Sequence, residues 1–141
     1  MEIKLAALCD HIQVTQDNKL NLLGVFDEFR PTQLPASLSG FLVLLLSVPK
    51  SAEGQELIVE AIGQDGQSIF HISKPLTFHS LSTQMHDNIL LHELRTVREV
   101  ISLANVRVAI PDMYRVNVQI GRALNPATLN FVVRQGPGSI N

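Results

Sequence analysis

Apolar positions along this chain come in short runs, and most of the runs alternate with a period of two. Residues 114–120 are the cleanest case. Tyr114, Val116, Val118 and Ile120 share one face, and Arg115, Asn117 and Gln119 share the other. That spacing predicts a half-buried antiparallel strand. Residues 56–63 alternate in the same way, with Leu57, Val59 and Ala61 set against Glu56, Ile58 and Glu60. Asp65-Gly66 then precedes a β-rich run at 68–73, and Asp-Gly between two such runs predicts a hairpin. Residues 41–48 form a continuous apolar run between Gly40 and Pro49, short enough for a buried strand. A further strand is expected at 97–103 and a short one at 76–81. Leu129, Phe131 and Val133 form the last inward set.

Residues 6–29 set the frame. Two apolar runs flank Asp17-Asn18-Lys19. Asn tolerates the left-handed backbone region and Asp bonds its own backbone, so the stretch predicts a β-hairpin with strands at 3–14 and 20–26. Both faces of the first arm are largely apolar, which suits a central strand. Gly24 inside the second predicts a bulge or a close backbone approach. Pro31 and Pro35 force an extended connection. Residues 85–96 read differently: Ile89, Leu90, Leu94 and Val97 recur at nearly helical spacing, and a short helix is expected there, although residues 89–91 could also begin a strand.

Many short strands joined by Pro, Gly and Asx turns predict an all-β fold, an antiparallel two-sheet β-sandwich of about seven to nine strands. Its one interruption is a short helical or irregular insertion near 85–96. A chain of 141 residues suits one domain, taken as 1–135 with a loose tail at 136–141. Tyr114 at a strand start after Pro111-Asp112 is similar to the tyrosine corner of such sandwiches.

Composition narrows the function classes. The formal charge is −2, with Lys and Arg scattered and no Trp, which argues against nucleic acid as a partner. The longest uncharged apolar run is far short of a membrane span, and no membrane partner is expected. Cys9 is the single cysteine, which suits a reducing compartment and a cytoplasmic location.

The pairing of Ala7-Leu8-Cys9-Asp10 with Lys19-Leu20-Asn21-Leu22-Leu23-Gly24-Val25-Phe26-Asp27 resembles the opening of an uncharacterised bacterial family of small β-sandwich domains. Members begin with an ALCD strand followed by a strand of the type GKLNILGIFD. They end, as here at 111–116, with a Pro, a turn and a Tyr-led strand. The family has Gly where this chain has Met113, and a shorter connection than residues 85–96. The resemblance implies a sandwich and a bacterial or phage source. It implies no activity and no site residues.

Asp10 and Asp27 are the first chemical candidates. A turn centred between Asn18 and Lys19 would set them face to face, where paired carboxylates can bind a cation or share a proton. A shift of one residue separates them, and each then serves to bond local backbone at a strand bend. His11 is a third candidate ligand. None of His11, His71, His79, His86 and His92 has metal-ligand spacing, and no cofactor or metal is expected. Cys9 and His11 share strand parity, so a thiol–imidazole pair is conceivable, but a lone Cys in an apolar strand is more often inert core. Leu90, Leu91, Leu94, Arg95 and Arg98 form a candidate interaction surface for a protein partner or a second copy of the chain, set against a crossover that closes the sandwich.

The expected function is a non-enzymatic protein-interaction or structural module. A ligand- or metal-binding domain using Asp10, Asp27 and His11 comes next. A hydrolase with Cys9 or an Asp nucleophile stands third.

Overall fold

A computed structural model describes residues 2–77, 94–121 and 127–136. The chain is all-β. Its strands are β1 (Glu2–Val14), β2 (Leu20–Phe26), β3 (Glu28–Phe29), β4 (Ala36–Ser37), β5 (Phe41–Pro49), β6 (Glu56–Ile62), β7 (Ser68–Pro75), β8 (Leu94–Ser102), β9 (Arg107–Val108), β10 (Asp112–Ile120) and β11 (Ala127–Val133). One turn of 3-10 helix, Lys50–Ala52, follows β5. A four-stranded sheet in the order β2-β1-β5-β8 faces a five-stranded sheet in the order β3-β11-β10-β6-β7, and β4 pairs with β9 apart from both. Every pairing is antiparallel except that of β3 with β11.

The period-two pattern explains the layering. Along β10 the buried set is Tyr114, Val116, Val118 and Ile120, and along β6 it is Leu57, Val59 and Ala61. Leu42, Leu44, Leu46 and Val48 of β5 meet them from the other sheet in one core. A strand presents alternate side chains to opposite faces, so these rows can interdigitate between two sheets about 10 Å apart. β1 is central, as its two apolar faces require.

Two sequence expectations are corrected. Residues 94–96, read as the end of a helix, are strand: Leu94, Arg95 and Thr96 pair with Pro49, Val48 and Ser47 across β5. Sheet pairing outweighs the weak helical spacing there; the rest of the 85–93 reading lies outside the described residues. Leu76 and Thr77, the start of the strand expected at 76–81, belong to no strand, and residues 78–81 lie outside the described residues. Leu76 is buried, and its amide donates to the carbonyl of Gln55. Gly136, at the start of the expected tail, donates its amide to the carbonyl of Pro31 at 2.7 Å, and residues 137–141 lie outside the described residues. The short strands β3, β4 and β9, of two residues each, carry too little pattern to be read from sequence.

The two sheets are joined at opposite sides. After Phe26 the chain leaves the four-stranded sheet and pairs with β11; the carbonyl of Asp27 accepts from Val132 and that of Phe29 from Arg134. On the far side, β7 and β8 are the facing edges. Lys74 shares the inner face of β7 with Ile72 and Phe70, and Glu99 shares the inner face of β8 with Val97 and Ile101. Their side chains form an ion pair between the sheets, with the Glu99 side chain only 6% exposed.

Candidate functional site

The β1–β2 hairpin forms around a turn in which Asn18 holds φ of 64°. Thr15 organises it: its hydroxyl donates to Asp17 and accepts from the Lys19 amide at 3.0 Å. The Asp17 carboxyl lies below its ordinary range, held there by the Thr15 and then the Lys19 hydrogen bonds. Sequence chemistry therefore specifies this turn.

β5 pairs only with residues 2–9 of β1, so the hairpin beyond them is an arm. Leu8 faces Phe26, Cys9 faces Val25 and His11 faces Leu23, while the intervening pair is missing. There Gly24 has φ of 71°, and the Asp10 side chain lies against it where a Cβ would stand. Only glycine adopts that backbone at low cost and leaves room for the carboxylate.

This break is where the arm turns. A straight arm would carry its tip, where Asn18 lies level with Gln16, roughly 20 Å past Asp10 at about 3.3 Å per residue. Yet Arg98 of β8 donates to the Asn18 carbonyl at 2.7 Å, and Arg98 lies opposite Leu45 of β5, which in turn lies opposite Leu5 of β1. The arm must fold back across the sheet for its tip to reach that position. It does so on the outer face, because Arg98 alternates with the inward Val97 and Glu99. Cys9 and Val43, also outer-face residues, are both 0% exposed. Outer-face side chains are ordinarily solvated, and the arm's tip, gripped by Arg98, lies on this same face.

The structure separates the predicted carboxylates. The turn centres on Asp17 rather than between Asn18 and Lys19, so Asp10 lies opposite Gly24 and Asp27 lies past the end of β2. Both are exposed, as is His11. Among the described residues, no three His, Cys, Asp or Glu side chains gather closely enough to hold a metal ion. Cys9 is buried whereas His11 is exposed beyond the bend, and burial followed by the nearby Asp10 pushes the thiol up from its ordinary value. That is the reverse of an activated nucleophile. Leu90 and Leu91 lie outside the described residues. Leu94 and Arg95 lie on β8, and Arg98 holds the arm.

Sequence reading missed the apolar character of the outer face. Leu5, Leu23, Val25 and Val100 are exposed large hydrophobics on strands of this sheet. Their parity with Cys9 and Val43 was legible, because the sequence shows both faces of β1 to be apolar. Among the described residues strand β2 is also an edge, and its sequence from Leu20 to Phe26 has no charge to discourage pairing.

In the five-stranded sheet, the Tyr114 hydroxyl donates to the carbonyl of Ile110 at 3.1 Å, and its ring stacks on Phe131 at 5.4 Å. The arrangement matches the tyrosine-corner expectation. Burial first, then Asp112 and Asp65, push the phenol up from its ordinary value of 10.0. A raised acid pKa stabilises the fold below the unfolded value and loses that contribution as pH rises through the folded one. Tyr114→Phe is expected to cost about 1 kcal/mol at neutral pH by losing the hydrogen bond. It should also flatten the loss of stability above about pH 10, where phenols ionise. Urea unfolding of both proteins across that pH range checks it; parallel curves would refute the assignment.

No helix among the described residues is long and apolar enough to cross a membrane. Compared with curated proteins, the chain matches none. Residues 4–134 match the family described as a family of unknown function (DUF6941), and the chain belongs to that family.

Proposed function

We propose that this domain is a non-enzymatic protein-interaction module that works through the outer face and free edge of its four-stranded sheet. The observation carrying this reading is the exposed apolar set Leu5, Leu23, Val25 and Val100 on that sheet. The outer face of a sandwich is ordinarily polar, so several exposed apolar side chains on it suit an association surface. The uncharged β2 edge adds backbone groups that an extended partner strand, or β2 of a second copy, can pair with. Lone Cys9 suits the reducing cytoplasm of a bacterium, and the family resemblance read from the N-terminal hairpin supports a bacterial or phage source.

The test substitutes Leu23→Lys together with Val25→Lys. Both side chains are more than half exposed, so folding should survive. The wild-type protein is expected to self-associate in light scattering, or to capture a defined protein partner, and the double variant to lose that association with an unchanged melting temperature. Retention of the same association by the variant, or a wild-type protein that associates with nothing, overturns the reading.

A further inference from the structure

We propose that residues 10–24 are a strap that opens as a unit about Asp10 and Gly24, with Arg98 as its latch, and so controls access to the buried outer-face strip around Cys9 and Val43. Three independent features place the device. The hinge is the missing pair at Asp10 and Gly24, the point where the hairpin ladder is already broken and the backbone is left-handed. The latch is the guanidinium of Arg98, which donates to the Asn18 carbonyl at 2.7 Å and to its side-chain oxygen at 3.4 Å. The covered surface is the outer-face strip around Cys9 and Val43, which is fully buried although it lies outside the core between the sheets.

The strap is also weakly held. On one face of the arm Ile12, Leu20 and Leu22 are half-buried, while His11 and Leu23 on the other are exposed. Such an arm buries little apolar area compared with a core strand, so its opening free energy belongs at the low end of the range within one protein. Among the described residues its edge strand β2 pairs with β1 alone, and both move together. Breaking the Arg98 hydrogen bonds at the tip therefore shifts the opening equilibrium without disturbing the sandwich. The strap's biological purpose rests on the interaction reading; its mechanics do not.

Cys9, at the hinge, reports the opening directly. In the folded wild-type protein a small aromatic disulfide reagent should label Cys9 slowly, through transient opening. Arg98→Ala is expected to speed labelling about tenfold, the size of effect that losing a hydrogen bond from a charged group produces. Asn18→Gly should label at nearly the wild-type rate, because glycine keeps both the left-handed turn and the backbone carbonyl that Arg98 grips. Arg115→Ala, on the other sheet, serves as the control and should leave the rate unchanged. Labelling in low urea separates local from global opening: a strap exposes little surface, so the rate should depend only weakly on urea. Equal rates for Arg98→Ala and wild type would overturn the proposal. So would a steep urea dependence matching global unfolding. Neither result bears on whether Leu23 and Val25 bind a partner, so the strap and the interaction reading can fail separately.

Discussion

Replacing Phe131 with alanine is expected to lower the free energy of unfolding by about 4 kcal/mol, the upper part of the range for aromatic truncation in a core. Phe131 is among the largest fully buried side chains and stacks on Tyr114, the residue that ties β10 to the carbonyl of Ile110. It also borders a narrow apolar cleft reached from both sheets by Leu42, Val116 and Phe70, with no room for a water molecule. Side chains from two sheets cannot close independently on a gap at their junction, so little relaxation offsets the cavity. The loss is large against a total stability of about 5–15 kcal/mol for a domain. Phe131→Leu should cost far less, about 1–1.5 kcal/mol, because most of the volume remains. Urea unfolding with a constant m-value measures both. A loss under about 2 kcal/mol for the alanine variant would show that the sheets can collapse onto the site, which the rigid junction forbids.

How much of this was legible in the sequence follows from the range over which each feature is encoded. The strands β10, β6 and β5 were readable because burial of one or both faces writes itself into every second residue or into a short continuous run. The Asn18 turn and the Asp65-Gly66 hairpin were readable because positive φ restricts residue choice locally. The register of the first hairpin was not. Whether Asp10 meets Asp27 or Gly24 depends on one residue of turn length, and a single shift carries every side chain to a new partner. The return of the arm over the outer face was even less accessible. It depends on an Arg98–Asn18 contact separated by 80 residues in sequence, although Gly24 marked the place. The charged pair at the β7 and β8 edges did leave a signal. Lys74 continues the inward row of Phe70 and Ile72, and Glu99 sits between Val97 and Ile101; a charge at an inward position on each of two strands is a pattern that asks for a partner.

That pair supplies the second large expected effect. Lys74→Met is expected to destabilise the protein by about 2–3 kcal/mol, because it strands the Glu99 carboxylate between the sheets; the figure lies just below the range for breaking a buried pair because the Lys74 end is 41% exposed. Glu99→Leu alone should cost less, since the lysine left behind can turn its ammonium to water along a flexible stem. The double variant Lys74→Met with Glu99→Leu should recover most of the loss and come within about 1 kcal/mol of the wild-type protein, as apolar replacements of buried ion pairs commonly do. The asymmetry between the two single changes carries the argument. A surface ion pair would show two small and equal losses. A fully desolvated pair would show two large ones. Only a pair anchored at its acidic end in the core and open at its basic end gives a large loss for lysine, a small one for glutamate and near-recovery for both, and a double-mutant cycle by urea unfolding reads all three. Because β7 and β8 are the outermost strands on that side, the same cycle measures how firmly the two sheets are held together opposite the crossover at Asp27.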